Sequence, residues 1–209
     1  MISCVLFDSD GTLVDSEGVA AQALSARFSE LGCEVTAEEL LQRFRGWQLS
    51  EQLALMSREH AVQLPDDFVE GYRALLRELM QRDLQAIPGM ADALSQLDQA
   101  MAVVSNGPRN KVELALHVCD LSTYFGDNIF SAYDLEVWKP DPAIYIRAAN
   151  SMGFAAEQCA VVEDTLIGVE AGVKADMLTL FYNPTGEDCP FAEAISFRHM
   201  SELASLLNA

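Results

Sequence analysis

The chain has 209 residues, half of them apolar, which is enough for one substantial core with a smaller attached unit and too much for a disulfide-stapled mini-protein. Lys and Arg number 13 against 32 Asp and Glu, and the formal charge of -19 repels phosphate backbones and anionic lipid, so neither nucleic acid nor a membrane surface is expected as a partner. The same field repels a small phosphorylated metabolite, so a site for one needs a local cation to reverse the sign.

The five cysteines, Cys4, Cys33, Cys119, Cys159 and Cys189, form no C-x-x-C pair and no metal-ligand spacing, and are expected as reduced thiols. With no secretory pattern after Met1 and no apolar run of membrane-spanning length, the expected location is cytoplasmic.

In chain order, residues 3–7 form a short β-rich apolar run that stops at Asp8, the pattern of a buried parallel strand. From 16 to 82 the pattern turns helical. Val19, Leu24, Phe28 and Leu31 share a face, with Gly32 as a stop. Thr36 to Glu39 reads as a capping box leading into Leu40, Leu41 and Phe44. Amphipathic segments over 50–60 and 65–82 complete about four helices, which bury their apolar stripes as a bundle. A Pro88-Gly89 turn signal ends this block.

Beyond it, helices expected over 90–98, 110–118, 142–152, 168–174 and near 201–207 alternate with strands over 101–104, 128–130, 159–162 and 177–181. Such alternation predicts an α/β fold, an open doubly wound (Rossmann-like) parallel sheet with sites at the carboxyl ends of its strands. Residues 1–14 and 86–209 are thus expected as the core domain, with 15–85 as a helical bundle inserted after the first strand.

The chemistry concentrates in Phe7-Asp8-Ser9-Asp10-Gly11-Thr12-Leu13, where two carboxylates follow a buried strand and precede a glycine that frees the turn. Taken alone, an acidic turn capping a strand reads the same way. Three further stretches change the balance, each lying at a strand end or opening a helix of the same sheet: Ser105-Asn106-Gly107, Lys139-Pro140-Asp141-Pro142 and Glu163-Asp164. In a parallel sheet these loops converge. Carboxylates gathered in this way repel unless a hard cation sits between them, and magnesium favours oxygen ligands.

The roles of a carboxylate-nucleophile phosphoryl transfer each have a candidate. Asp8 attacks phosphorus, Asp10 protonates the leaving alkoxide, Ser105 and Asn106 donate to phosphoryl oxygens, and Lys139 offers a point charge. Glu163 reads as an acid at a helix start, where the positive end of the dipole accounts for it. Asp15 reads as a cap for the helix beginning near Ser16. Arg43 and Arg45 either contact substrate or are solvated helix residues, and the isolated His60, His117 and His199 read as structural.

These four stretches, in this order and over nearly the whole chain, resemble the haloacid dehalogenase-like hydrolases, chiefly their phosphatase branch. The resemblance implies an aspartyl-phosphate intermediate on Asp8 and magnesium held by Asp8, Asp10 (through its carbonyl oxygen) and Asp164, with Glu163 in or just outside the ligand set. It also implies that Ser105, Asn106 and Lys139 hold the phosphate of a small phosphorylated metabolite, and that the inserted bundle is a cap domain. A monomer or weak homodimer is expected.

Asp15-Ser16-Glu17, Arg43-Phe44-Arg45-Gly46, Ser105-Asn106-Gly107-Pro108 and Trp138-Lys139-Pro140-Asp141-Pro142 are similar to bacterial phosphatases acting on 6-phosphogluconate, which implies a sugar phosphate or sugar-acid phosphate as substrate. The alternatives are a phosphomutase resembling β-phosphoglucomutase and a non-catalytic phosphometabolite-binding module. Such mutases carry a histidine ten residues past the acid/base, where this chain has Ala20. A binding module has no use for Asp10.

Overall fold

The computed structural model describes residues 1–44 and 47–208. Two compact units divide the chain: Met1–Val14 with Gln85–Ala209, and Asp15–Leu84. Elements run in the order β1 (Cys4–Phe7), α1 (Glu17–Glu30), α2 (Ala37–Phe44), α3 (Leu49–Glu59), α4 (Phe68–Asp83), α5 (Met90–Ser95) and β2 (Ala100–Ser105). There follow α6 (Arg109–Val118), α7 (Ser122–Phe125), β3 (Ile129–Ser131), α8 (Ala132–Leu135), α9 (Ala143–Met152) and β4 (Cys159–Glu163). The chain ends with α10 (Leu166–Lys174), β5 (Leu178–Tyr182), β6 (Ile195–Phe197) and α11 (Leu203–Leu207).

The first unit is built on a six-stranded sheet of order β3-β2-β1-β4-β5-β6, every pairing parallel. β1 pairs β2 on one side and β4 on the other, with Leu6 opposite both Ala102 and Val161. The chain therefore grows outward from β1 to β2 and β3, then crosses back to β4, which puts a topological switch point at the carboxyl ends of β1 and β4. Parallel strands buried on both faces need continuous apolar sequence, and Cys4, Val5, Leu6 and Phe7 are all fully buried.

Side chains alternate between faces. Cys4 and Leu6 pack with Ile144, Tyr145 and Ala148 of α9 and with Ala171 of α10. Phe7, on the other face, meets Phe125 of α7 edge-on with ring centroids 5.8 Å apart.

The second unit is a bundle of α1 to α4. Its buried stripe runs through Val19, Leu24 and Phe28, Leu40 and Phe44, Leu53 and Met56, and Phe68, Tyr72, Leu76 and Met80. Phe28 and Phe68 pack edge to face at 5.3 Å. The capping box forms as expected: Thr36 N–H donates to the Glu39 carboxylate at 2.8 Å, and Glu39 N–H to Thr36 Oγ1 at 3.1 Å. These donors hold the Glu39 carboxyl below its ordinary range. Ser16, not Asp15, occupies the start of α1, and its side chain makes no cap bond.

The three-residue β6 has no counterpart among the expected strands. It lies at the sheet edge with only Phe197 buried, so it lacks the apolar run that marks the inner strands. Expected helix 90–98 stops earlier, at Ser95.

Each unit carries one tryptophan, Trp47 in the bundle and Trp138 beside the sheet. In a Trp47→Phe background, Leu6→Ala is expected to destabilise the sheet unit by about 2–5 kcal/mol through lost burial and a residual cavity. Urea melts followed by Trp138 fluorescence check this, and an unchanged midpoint would refute the central placement of β1.

Candidate active site

β1 ends at Phe7, and Asp8 N–H still joins the sheet by donating to Val162 O at 2.9 Å. The chain then folds into a tight loop, with Leu13 and Val14 N–H both donating to Ser9 O, and Gly11 N–H to Val14 O. Gly11 has φ +82°, and a Cβ there would overlap the Asp164 carboxylate, so only glycine allows this approach. Thr12, fully buried in the same loop, donates from Oγ1 to Asp164 Oδ1 at 3.0 Å. Residues 152 positions apart in sequence are thereby fixed to one another.

Asp8, Glu163 and Asp164 are all buried and can each offer a carboxylate oxygen, with the three atoms within 4.8 Å of one another. Lys139 reaches the same place from the start of the α9 loop. Its Nζ donates to Asp8 Oδ1 and pairs with Glu163 Oε1 at 2.5 Å, with Lys139 3% exposed. Glu163 also accepts from Tyr145 Oη at 2.7 Å and from Thr165 Oγ1 at 3.1 Å, and the Tyr145 ring lies under Lys139 Nζ at 5.2 Å. Asp10 is held separately, its carboxylate receiving Lys111 Nζ at 2.8 Å on each oxygen.

The turn after β2 completes the arrangement. Ser105 Oγ accepts from Gly107 N–H at 3.0 Å, which leaves its hydroxyl hydrogen available to donate. Asn106 spends its side chain on the Lys139 backbone, accepting from Lys139 N–H at 2.9 Å and donating to Lys139 O at 3.4 Å. This amide is therefore a tie between two loops.

Four carboxylates thus face two ammonium groups, and the electrostatics follow from that imbalance. Burial pushes the Asp8 carboxyl up from 3.8 to about 7; Lys139 opposes the rise, while Glu163 and Asp10 add to it. Burial works against the charge on Lys139, but Asp8 and Glu163 beside it more than compensate and raise it. Tyr145 is raised well above its ordinary value by burial and then by Glu163, so it remains a protonated donor. With two ammonium groups against four carboxylates, the cluster carries a deficit of two positive charges. A hard divalent cation among these oxygen donors would supply them, so the residues present fit such an ion.

Of the residues expected from sequence, the structure brings Asp8, Asp10, Ser105, Asn106, Lys139, Glu163 and Asp164 to the carboxyl ends of β1, β2 and β4. Arg43 lies in α2, bound through Nη2 to both Glu59 oxygens at 2.8 and 2.7 Å. Arg45 lies outside the described residues. Thr12, Lys111, Tyr145 and Thr165 went unrecognised. Lys111 and Tyr145 each sit in the first turn of a helix that opens at this sheet edge, a position from which a side chain returns towards the strand ends.

A family model for haloacid dehalogenase-like hydrolases matches residues 2–176, and the chain belongs to that family. It is 37% identical over its full length to 6-phosphogluconate phosphatase of Escherichia coli K12, covering 96% of that protein. Among solved structures, a haloacid dehalogenase-like protein of unknown function from Agrobacterium tumefaciens superposes with TM-score 0.84 at 28% identity, covering 100% of this chain and 98% of the other. A family hydrolase from Deinococcus radiodurans, solved with bound phosphate and sodium, gives TM-score 0.78 at 29% identity, covering 99% and 97%.

The raised Asp8 carboxyl sets a pH dependence. Between 3.8 and about 7 the folded chain keeps a proton that the unfolded chain has released. Stability from this group is therefore full at low pH and is lost as pH rises through about 7. Asp8→Asn removes the cost of ionisation while Lys139 retains Glu163, so in EDTA it is expected to raise Tm more at about pH 8 than at about pH 5. Equal changes in Tm at both pH values would contradict the assignment.

Proposed function

We propose that the chain is a magnesium-dependent phosphatase of small phosphomonoesters, acting through an aspartyl phosphate on Asp8. The observation that carries this reading is the meeting of Asp8, Asp164, Glu163 and Lys139 at one end of a parallel sheet. In the proposed first step an Asp8 oxygen forms a bond to phosphorus while the phosphorus–alkoxide bond breaks. The departing oxygen keeps the electron pair and takes a proton from Asp10. In the second step Asp10 takes a proton from water as that water attacks phosphorus, and the bond to Asp8 breaks to release inorganic phosphate.

Ser105 donates its hydroxyl to the phosphoryl group and Asn106 its main-chain N–H, while Lys139 neutralises charge on both nucleophile and phosphate. Asp8, the Asp10 carbonyl and Asp164 would hold the magnesium ion, which would draw charge from the phosphoryl oxygens. Glu163 is assigned a different task. With Lys139, Tyr145 and Thr165 already on its oxygens, it orients Lys139 instead of ligating the ion.

The Asp15–Leu84 unit is proposed as the cap, with Arg43 and Arg45 as its substrate contacts. A sugar-acid phosphate such as 6-phosphogluconate is the proposed substrate, supported by full-length similarity to the E. coli phosphatase. Ala20, standing where related mutases carry a histidine, favours return of the phosphoryl group to water.

EDTA is expected to abolish phosphate release from 6-phosphogluconate, and excess magnesium to restore it. Magnesium at about a hundred times its Kd should stabilise the protein by about 2.7 kcal/mol, an increase that Asp164→Asn removes. Asp8→Asn should leave no measurable turnover, and Asp10→Asn should lower kcat by about 10²–10⁴-fold. Phosphate-release assays decide this: full activity in EDTA would rule out the metal, and wild-type rates in either variant would remove that residue from its role.

A further inference from the structure

We propose that Lys111 is a positioning residue for the acid/base, fixing the Asp10 carboxylate over the Ser105–Gly107 turn. This inference rests on the phosphatase reading and deepens it. Lys111 lies in the first turn of α6, 101 residues from Asp10 in sequence, and its Nζ meets both carboxylate oxygens at 2.8 Å. A symmetric two-oxygen contact fixes the rotation of the carboxylate as well as its place, which a single hydrogen bond does not.

The surroundings show what that orientation serves. A Cβ at Gly107 would lie 3.3 Å from Ser105 Oγ and 3.7 Å from Asp10 Oδ2, so the carboxylate rests against the turn that carries the proposed phosphate donor. Ser131 Oγ anchors that turn by donating to Gly107 O at 2.7 Å. Lys111 is therefore mounted on a helix whose own start is fixed to the sheet, and it draws Asp10 to the same place. Neither side chain is fully buried, Lys111 being 24% and Asp10 29% exposed, so solvent screens part of the contact's strength and orientation is what it chiefly supplies.

Asp8 is held differently, by the buried Lys139. The two carboxylates of one loop thus each have their own lysine, Lys139 from the loop before α9 and Lys111 from the first turn of α6. A nucleophile needs its oxygen aimed at phosphorus, whereas an acid/base needs its oxygen aimed at the leaving group and then at water. Separate lysines let the two carboxylates be aimed independently.

The role predicts a leaving-group signature. An alkoxide departs only with a proton, while nitrophenolate departs without one, so misaiming Asp10 slows the first far more than the second. In Lys111→Met, kcat for 6-phosphogluconate or another alkyl phosphate is expected to fall about 10–100-fold with KM within about twofold. The first-turnover burst of nitrophenolate from p-nitrophenyl phosphate should stay within about threefold of wild type. Lys111→Arg, which can also grip both oxygens, should recover part of the lost alkyl-phosphate rate.

Equal losses on the two substrates would overturn the positioning role, and so would a raised KM with kcat unchanged, since either would make Lys111 a general phosphate or substrate contact. An unchanged Lys111→Met overturns it as well. The site is partly open to solvent and tolerates substitution, and unchanged Tm values for Met and Arg variants separate a local effect from unfolding. Wild-type protein inert towards both esters would instead overturn the phosphatase reading itself, and this inference with it.

Discussion

Asp8, Asp10, Glu163 and Asp164 converge where a buried sheet ends, and the two lysines that meet them do not balance their charge. Like charges about 4 Å apart in a protein setting repel by roughly 4 kcal/mol at an effective dielectric constant near 20, so such a cluster disperses unless each member is restrained. Much of the local structure reads as that restraint. Thr12 holds Asp164, Tyr145 and Thr165 hold Glu163, and Gly11 allows its loop to press against Asp164 without a side chain between. Burial first, with Glu163 and Asp10 adding to it against Lys139, keeps the Asp8 carboxyl raised to about 7.

The sheet makes the restraint possible. β1 is bonded on both sides and buried on both faces, so Asp8 departs from a strand with little freedom of its own. Its neighbours β2 and β4 run parallel to it, which means that all three deliver their following residues to the same edge. The loops are then tied laterally as well as along the chain. Asn106 grips the Lys139 backbone, and Ser131 grips Gly107, so the lysine and the serine turn are positioned by contacts that have no part in the chemistry.

Much of this was legible in the sequence because the strongest signals are local. A four-residue apolar run followed by Asp8-Ser9-Asp10-Gly11-Thr12 announces a strand end, and alternation of strand and helix places the other loops beside it. The capping box at Thr36 was readable for the same reason, since its two partners are three residues apart. What escaped depends on distance. Lys111 and Tyr145 matter through partners 101 and 18 residues away, and in the sequence one is an ordinary first-turn lysine and the other an apolar-face aromatic. Asn106 was legible as a polar group at the right strand end but not as a loop tie, because its partner is the backbone of a residue 33 positions on. Strand β6 escaped because an edge strand with one buried residue carries no hydrophobic period.

The formal charge of -19 and a phosphate-binding role look opposed, and the range of electrostatic forces reconciles them. At physiological ionic strength the screening length is about 8 Å, so a small phosphate in the site responds to the groups touching it and little to acids across the surface. A polyanion cannot escape in this way. Nucleic acid or an anionic bilayer engages many surface charges at once, and each added contact meets another carboxylate. On the proposed reading, an acidic surface around a cluster that fits a cation would act as a filter, disfavouring extended anions by area and admitting a single phosphoryl group by local chemistry. Such a division would leave the choice among small phosphomonoesters to whatever surrounds the rest of the molecule, not to the carboxylates and lysines proposed to meet its phosphate.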